Sequence, residues 1–337
     1  MKAQIKPGYE QNRVRLADQI PLDTPFTLYI TPSQICNFSC NYCTQSWDKK
    51  AKEEIGLKMR FLDYDMFLKL VGQATEFPKQ FKQILFTGLG EPLLNPATPD
   101  MIAELKRLDI SEKVEMYTNA SLLTHDMTHR LIDAGITRLR ISIQGVSAKK
   151  YKHMCGVDID FDDLVSRIRY FYKNRGNTLL YIKIIDFCLD DENDKDRFYN
   201  IFGNICDEIF IEHLVLSQPT MRDYSGRVDE SLTLYGEKII DKAVCPLIFY
   251  VLQTDAVGNV FPCTPLGLQQ SFSLGNINET TLLDIWHSEK LKNLRIMHLE
   301  KKRSRIPVCG SCQNFLCITH DTDNLDRDAE DIVKRIK

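Results

Sequence analysis

Three cysteines lie within eight residues of one another, at Cys36, Cys40 and Cys43. Thiolates with CxxxCxxC spacing on a short loop can converge on one metal centre, and these three leave one iron of a 4Fe–4S cubane without a protein ligand. An open metal position is typical of a catalytic rather than a structural site. A zinc loop is the alternative, but zinc would need a fourth protein ligand, and residues 34–47 contain no other Cys, His, Asp or Glu.

Length, charge and composition narrow the class of protein. At 337 residues the chain can form one large domain or two of ordinary size, and a net charge of −3 gives no reason to expect a nucleic-acid surface. The N-terminal residues are polar, which predicts no secretory signal, and no run of about eighteen apolar residues predicts a membrane span. Eleven cysteines in such a chain favour metal binding over disulfides, so we expect a cytoplasmic protein that binds neither nucleic acid nor membrane.

Short β-rich runs alternate with helical patterns between residues 26 and 215. Strands are predicted over residues 26–31, 83–87, 114–118, 139–143, 180–185 and 209–215, and helices over residues 64–75, 99–108, 124–134, 161–173 and 194–205. Six such units in series predict an α/β fold with a parallel sheet, either doubly wound and open or closed into a barrel. In barrels the chemistry lies at the carboxyl ends of the strands, and the cysteine loop begins directly after the first strand.

Further polar motifs follow the next strands. The second predicted strand runs into the turn Gly88-Leu-Gly90-Glu91-Pro, where glycines let backbone amides approach a ligand and a carboxylate can accept from an ammonium group. The third strand ends at Asn119, and the fourth ends in Ser142-Ile-Gln144-Gly. Because the carboxyl ends of parallel strands meet at one edge of the sheet, we expect these side chains to face the same opening.

With the aromatic Tyr42 placed directly before Cys43, these motifs resemble the radical S-adenosylmethionine (SAM) superfamily, whose signature is CxxxCxΦC with Φ aromatic. The resemblance decides between the two sheet types, since it implies a partial (β/α)6 TIM-like barrel. It also implies a 4Fe–4S cluster on Cys36, Cys40 and Cys43 that binds SAM. The residues expected to bind this cofactor are Tyr42, Gly88, Gly90, Glu91, Asn119, Ser142, Gln144 and Lys183.

Within that set, Gly88, Gly90 and Glu91 resemble the family's GGEP element, which holds the methionyl amino group of SAM. Ser142 and Gln144 resemble its SxDG element, which contacts the ribose and carboxylate. The chain departs from the family pattern at two positions, with Ala120 in place of Gly and Gln144 in place of the commoner Asp. A glutamine can hydrogen-bond a hydroxyl group, but it brings no charge.

Other polar residues at the strand ends are open to two interpretations. Lys183 and Asp186, and Glu212 and His213 one strand later, are candidate cofactor or substrate contacts, or simply solvated charges. The thiols of Cys155 and Cys188 are expected near the barrel opening, where they could donate hydrogen to a substrate radical or be unreactive. A third thiol, Cys206, lies in a helical pattern and is predicted to be a small buried hydrophobe.

A second cysteine set follows toward the C-terminus. Cys245 and Cys263 flank a predicted hairpin whose turn covers residues 255–259, and Cys309 and Cys312 form a CxxC pair suited to a metal. A helix is predicted around residues 282–299. This region resembles the SPASM/twitch extension of radical SAM enzymes. It carries five cysteines rather than the seven of a full SPASM region, which implies one auxiliary cluster, expected to be 4Fe–4S, on those four cysteines. Cys317 is then spare or an alternative ligand. Zinc on the same thiolates remains the alternative.

The predicted organisation has five parts. They are an N-terminal extension (1–25), the partial barrel (26–216), a linker (217–244), a small cysteine-rich SPASM/twitch domain (245–320) and a charged C-terminal tail (321–337) that forms a surface helix.

The resemblance implies reductive cleavage of SAM to methionine and a 5′-deoxyadenosyl radical that abstracts hydrogen from the substrate. Only about 25 residues precede the first strand, too few for a peptide-binding module, so we expect a small polar metabolite such as a sugar or aminocyclitol. The expected product is oxidised or epimerised, and the electron donor is of flavodoxin or ferredoxin type. A peptide or protein maturase is the enzymatic alternative, and a non-catalytic iron–sulfur or zinc scaffold is the alternative from another class.

Overall fold

The computed structural model describes residues 1–10, 12–215, 228–263 and 270–337. The strands of these residues form one sheet in the order β1-β7-β6-β5-β4-β3-β2-β8-β9-β10. They are β1 (Gln4–Ile5), β2 (Thr27–Ile30), β3 (Gln83–Phe86), β4 (Val114–Thr118), β5 (Arg138–Ile143), β6 (Leu179–Ile185), β7 (Glu208–Glu212), β8 (Val251–Thr254), β9 (Asn259–Phe261) and β10 (Gly275–Asn276). Strands β2 to β7 are the six predicted ones, and they are parallel throughout.

Helices follow the parallel strands along the chain. They are α1 (Lys49–Glu54), α2 (Tyr64–Ala74), α3 (Thr98–Leu108), α4 (His125–Asp133), α5 (Ala148–Cys155), α6 (Phe161–Asn174), α7 (Glu192–Phe202), α8 (Leu282–Trp286), α9 (Glu289–Leu299), α10 (Pro307–Gly310), α11 (Asn314–Ile318) and α12 (Ala329–Ile336). Side-chain caps fix several starts: Asp63 accepts from the amides of Asp65 and Met66, and Thr124 accepts from that of Met127. The five predicted barrel helices are therefore confirmed, with shifts of one or two residues at their ends and three at the end of α7.

The parallel strands carry apolar residues on one face and charges on the other. In β5, Leu139 and Ile141 are fully buried in the main core, whereas the alternating Arg138 and Arg140 are buried in ion pairs. The guanidinium of Arg140 lies 2.6 Å from the carboxylate of Glu115, and the exposures of their side chains are 8% and 1%. A layer of buried charge thus lies on the polar face of the sheet, opposite the helices.

The N-terminal segment completes this charged layer. Strand β1 pairs in parallel with β7, and Lys6 lies 2.5 Å from the carboxylate of Glu208. The Gly8 carbonyl accepts from Arg140 at 2.7 Å. A Cβ at Gly8 would lie 2.9 Å from the same guanidinium, so any other residue here would displace the end of the Arg140 side chain. Strand β1 was not predicted, because a two-residue strand carries no periodic signal.

The C-terminal region departs from prediction in three places. The hairpin β8–β9 forms as expected, but β8 also joins the barrel sheet in parallel with β2. The single helix predicted around residues 282–299 is wrong: α8 ends before Ser288, whose side chain caps α9 by accepting from Leu291. The tail is not one surface helix: residues 321–323 form a short 3-10 helix, and α12 follows, with Ala329 and Ile332 buried against the N-terminal residues around Leu16.

Part of the predicted linker, residues 217–227, lies outside the described residues. In the described part of the chain no helix is long and apolar enough to cross a membrane.

Candidate active site

The cysteine loop leaves β2 and is fixed against the last turn of α5. The amide of Ser39 donates to the Cys155 carbonyl at 3.0 Å, and that of Asn41 donates to the Met154 carbonyl at 2.9 Å. Within the loop, the amide of Cys43 donates to the Cys40 carbonyl at 2.9 Å. Helix α5, which the sequence did not reveal, therefore holds the loop beside the barrel opening.

A cavity of about 330 Å³ lies at the carboxyl ends of β3 to β6, next to this loop. It brings together the three loop cysteines and all eight residues expected to bind the cofactor. They are Cys36, Cys40, Cys43, Tyr42, Gly88, Gly90, Glu91, Asn119, Ser142, Gln144 and Lys183.

Glu91 is the buried acid of this cavity. Its carboxylate accepts from the Leu93 amide at 3.0 Å, from the Thr118 hydroxyl at 2.7 Å and from the Asn119 amide at 2.7 Å. Burial raises the pKa of Glu91, and these three hydrogen bonds partly oppose that rise. A carboxylate has about four acceptor positions, so one position stays free for a ligand in the cavity.

The two glycines of the turn bring it against the cysteine loop. Gly88 has φ +136°, and a Cβ there would lie 2.6 Å from Thr31 Cγ2. A Cβ at Gly90 would lie 2.5 Å from the Ile35 carbonyl oxygen, which leaves no room for a side chain. The adjacent Glu91 amide donates to the same carbonyl at 2.9 Å. Glycine is thus required for the close contact of the two loops, whatever it also offers a ligand.

The two positions that depart from the family pattern differ in their local structure. Ala120 adopts φ +60°, a left-handed conformation that favours glycine and strains an L-residue. Gln144 accepts a hydrogen bond from the hydroxyl of Tyr42 through its side-chain oxygen, and its backbone amide donates to the Tyr151 hydroxyl oxygen at 3.2 Å. The glutamine therefore connects the end of β5 to the cysteine loop, a contact made without charge.

Lys183 is the cation of the cavity wall. Its ammonium group pairs with the carboxylate of Glu212, which is 2% exposed, and lies 5.2 Å from the ring centroid of Tyr117, another wall residue. Burial opposes the charge of Lys183, but Glu212 and Tyr117 outweigh it and raise the pKa. Lys183 is accordingly a charged, desolvated group at neutral pH.

The side chains of Asp186 and His213 hydrogen-bond to other groups of the protein. The Nδ1 of His213 lies 2.6 Å from Asp186, and its Nε2 donates to the Asp229 carbonyl at 2.8 Å. Asp186 also accepts from the Leu214 amide at 3.0 Å. Neither side chain lines the cavity, so this pair fastens residues 228–239 to the end of β7 rather than facing a ligand.

The three remaining thiols are fully buried, and none of them lines the cavity. Cys155 Sγ lies 3.4 Å from Cys40 Sγ, behind the cysteine loop. Burial raises the pKa of Cys188 to about 12, so it stays a thiol. This placement favours packing over hydrogen donation for Cys155 and Cys188. Cys206 is a buried hydrophobe, as predicted.

A second, smaller cavity gathers four of the five C-terminal cysteines. Cys245, Cys263, Cys309 and Cys312 line it, and Cys317 does not. Burial raises the pKa of the Cys245 and Cys309 thiols to about 12, and a nearby guanidinium, that of Arg303, opposes this rise. Deprotonating these thiols in place therefore requires a strongly attractive positive centre such as a metal cluster.

Two residues of this cavity carry no signal in the sequence. Arg303 donates to the carbonyls of both Cys309 and Cys312, the second at 2.7 Å, and so fixes the CxxC turn. His298 is fully buried in the last turn of α9, on the same helix face as Leu291 seven residues earlier. Burial, with Arg303 nearby, lowers the pKa of His298 to about 4, so its ring is neutral at neutral pH. Only the helical spacing from Leu291 could have predicted that His298 faces inward.

Residues 30–198 match the sequence profile of the Radical SAM superfamily, half of the chain. The chain belongs to this superfamily. Residues 245–313 match a second profile, SPASM, described as an iron–sulfur cluster-binding domain. The family assignment from the cysteine signature is thereby confirmed, and the SPASM match supports the expected iron–sulfur cluster over the zinc alternative.

Two relatives show what the chain is similar to in sequence. The chain is 25% identical to the tungsten-containing aldehyde ferredoxin oxidoreductase cofactor-modifying protein of Pyrococcus furiosus, over 85% of this chain and 86% of the relative. It is 32% identical to a probable GTP 3′,8-cyclase of Metallosphaera sedula, over 44% of this chain and 43% of the cyclase.

Solved structures of radical SAM enzymes have the same fold. BtrN in complex with AdoMet and 2-DOIA superposes with a TM-score of 0.52 at 19% identity, over 86% of this chain and 93% of BtrN. Native anSMEcpe with bound AdoMet and Cp18Cys peptide gives 0.55 at 14% identity, over 92% of this chain and 96% of that protein. The predicted α/β partial barrel with a small C-terminal domain is therefore confirmed.

The residues present in this radical SAM enzyme fit its cofactors, SAM and 4Fe–4S clusters. Three thiols and a partly free carboxylate face one cavity, and four thiols face the other. The described residues contain no group of three or more Cys, His, Asp or Glu placed to hold a single metal ion. The ligands of a cubane bind separate irons and need not converge on one point.

Proposed function

We propose that this radical SAM enzyme abstracts hydrogen from a small polar metabolite, sugar-like or aminocyclitol-like, and leaves it oxidised or epimerised. The observation that carries the proposal is the cation of Lys183 on the cavity wall, whose ammonium group lies 5.2 Å from the ring centroid of Tyr117. The ion pair with Glu212 uses one of the three N–H donors of this ammonium group, and a buried donor costs free energy unless a polar partner faces it. A substrate with hydroxyl groups or a negative charge would add such a partner, whereas an apolar one would not.

The cavity residues divide between the cofactor and the substrate. Cys36, Cys40 and Cys43 would hold the first cluster, and the free acceptor position of Glu91 suits the amino group of SAM. Ser142, on β5, would contact the ribose or carboxylate. Bound there, SAM and its cluster supply a hydrogen-abstracting radical, and the auxiliary cluster supplies an electron acceptor. The protein's own task is to position both molecules and exclude water.

The size and walls of the cavity also favour a small substrate. About 330 Å³ lies at the lower end of the range for small-molecule sites, and SAM takes part of it. Apolar side chains of Ile143, Ile184 and Ile185 form the wall next to Lys183 and would keep water from the reacting carbon. The names of relatives agree with this class: one modifies a cofactor, another cyclises GTP, and BtrN was solved with 2-DOIA.

A peptide or protein substrate is the second candidate, because anSMEcpe has a similar fold and was solved with a peptide. Residues 228–239 bridge the barrel and the C-terminal region: the His213 amide donates to the Leu234 carbonyl at 2.8 Å, and the Leu234 amide donates to the Cys317 carbonyl at 2.9 Å. The cavity volume of about 330 Å³ favours the small metabolite over a peptide.

The first test is anaerobic reconstitution with iron and sulfide, followed by dithionite and SAM. We expect 5′-deoxyadenosine by mass spectrometry, and none from the Cys36/Cys40/Cys43→Ala variant. A flavodoxin or ferredoxin should replace dithionite as electron donor. No product from fully iron-loaded, reduced protein would favour the scaffold alternative.

Substrate class is tested by deuterium transfer into 5′-deoxyadenosine from perdeuterated sugars, aminocyclitols, nucleotides and peptides. Lys183→Met should lower turnover of the accepted metabolite at least about tenfold, because one charge-assisted hydrogen bond to the substrate is lost. SAM cleavage without substrate should persist. Transfer from peptides alone would overturn the small-metabolite proposal. Arg130→Met, on the exposed face of α4, is the matched control.

A further inference from the structure

His298 is a polar residue at the auxiliary site that neither cysteine spacing nor the fold explains. It lines the same cavity as Cys245, Cys263, Cys309 and Cys312, and its side chain is fully buried. Neither ring nitrogen has a hydrogen-bond partner among the described residues. A buried donor left unpaired destabilises the folded protein, so a fully buried imidazole whose two nitrogens are unpaired among the described residues needs a partner from outside them.

The surroundings of the ring define what that partner can be. Apart from the four thiols, the cavity is lined by apolar side chains such as Leu247, Ile248 and Phe315, and by the guanidinium of Arg303. That guanidinium is engaged with the carbonyls of Cys309 and Cys312. The apolar side chains offer no acceptor, so the sulfur atoms of the thiolates and of a bound cluster are the acceptors within the cavity.

We propose that His298 donates a hydrogen bond from its imidazole N–H to a sulfur of the auxiliary cluster or of its cysteine ligands. Four cysteines already complete the ligand set of a 4Fe–4S cluster, so the ring acts as a donor and not as a fifth ligand. His298 is thus a positioning residue for the cluster. The inference depends on the SPASM region and its cysteines, and it holds whichever substrate the barrel accepts.

Such a hydrogen bond shifts the reduction potential of the cluster. Adding an electron makes the cluster more negative, and a donor to sulfur stabilises this reduced form, which raises the potential. Removing the donor should therefore lower the potential. Without the donor, we expect the equilibrium constant for one-electron reduction of the cluster to fall about tenfold, which corresponds to a potential lower by about 59 mV.

The test uses the full chain carrying Cys36/Cys40/Cys43→Ala, so that the auxiliary cluster gives the only signal. After anaerobic reconstitution, the midpoint potential is measured by titration with EPR detection, together with iron and sulfide content. His298→Leu should keep full iron content and shift the potential downward. His298→Gln, which retains an N–H donor, should restore at least half of the shift. His287→Leu, at an exposed histidine after α8, is the matched control and should leave the potential unchanged.

Two results would overturn the proposal. An unchanged potential in a fully loaded His298→Leu protein would show that the ring only packs. Loss of iron from both His298 variants, with normal loading in the control, would show that the ring is a ligand.

Should His298→Leu fail to fold, pulsed EPR of the His298-containing protein labelled with ¹⁵N-histidine decides the question. A weak nitrogen coupling supports the hydrogen bond, a strong coupling indicates ligation, and no coupling excludes contact with the cluster.

Discussion

At the scale of single residues, Glu91 is where burial and hydrogen bonding most constrain the chemistry. Three donors from the protein orient its carboxylate and leave one acceptor position toward the cavity. Glu91→Gln removes the charge that would attract the amino group of SAM, so we expect SAM affinity to fall about 10- to 100-fold. Isothermal titration of reconstituted protein with SAM measures this change. An affinity within twofold of the natural protein, at equal iron content, would contradict the role.

Cys317 poses the second question at this scale, because the sequence leaves it as a spare thiol or an alternative ligand. Its Sγ lies 3.9 Å from the Gln313 carbonyl, and it is absent from the cavity that the other four cysteines line. Cys317→Ser should therefore retain the iron of the auxiliary cluster, whereas Cys309→Ser should lose it. Iron and sulfide analysis in the Cys36/Cys40/Cys43→Ala background measures both. Equal iron loss in the two serine variants would make Cys317 a ligand.

The sequence predicts single residues well where a motif fixes their position. The cysteine loop, Glu91 and Ser142 follow from strand-end motifs that resemble those of the superfamily, and the structure gathers them in one cavity. It does not reveal residues whose role depends on distant contacts. Cys155 lies behind the loop because α5 turns it inward, and His298 reaches the auxiliary site through the packing of α9; neither lies in a recognisable motif.

At the scale of elements, the barrel strands bury charge where a small barrel would ordinarily bury apolar side chains. Arg140 on β5 is buried against Glu115 on β4 and the Gly8 carbonyl. Arg140→Met leaves a buried carboxylate uncompensated, so we expect a loss of about 3–5 kcal/mol in the free energy of unfolding. Urea unfolding of the apo-protein measures it.

A second substitution separates charge from packing in this pair. Adding Glu115→Gln to Arg140→Met removes the stranded charge and should recover more than half of the loss. The surface pair of Arg107 and Glu104 on α3, also 2.6 Å apart, is the matched control, and Arg107→Met should change the free energy of unfolding far less, because water screens an exposed ion pair. Equal losses at the two pairs would show that burial does not strengthen the interior one.

Periodicity predicts elements only as far as local pattern determines them. The six parallel strands and five barrel helices were accessible because each has a full buried face. Periodicity does not predict the break between α8 and α9, because the apolar pattern continues on both sides of Ser288. The sequence does not predict the pairing of β8 with β2 either, since it joins residues more than 200 positions apart. Alternation of apolar and polar residues indicates which face of a strand is buried, but not which strand lies beside it.

At the scale of the whole molecule, the barrel and the cysteine-rich C-terminal region share one sheet, and the main core extends into both. Val251 and Leu252 of β8 are buried beside β2, in register with Thr27 and Leu28. On the helical side, Gln73 of α2 donates to the Ile277 carbonyl at 2.9 Å and accepts from the Leu282 amide at 3.0 Å. Within the described residues, these contacts continue the sheet and the main core from one part into the other.

We therefore expect the apo-protein to unfold in one cooperative transition. In a Trp47→Phe variant, fluorescence reports only on Trp286, which lies on α8 and is fully buried in the main core, while far-UV circular dichroism reports chiefly on the barrel helices. Both signals should change at the same urea concentration, since coincident probes are the mark of a two-state transition. Leu252→Ala, which empties a buried position at the shared strand pair, should move both midpoints together by the equivalent of about 2–5 kcal/mol. Midpoints that separate, with fluorescence changing first, would show instead that the C-terminal region unfolds independently and that the β2–β8 pairing adds little to the stability of the barrel.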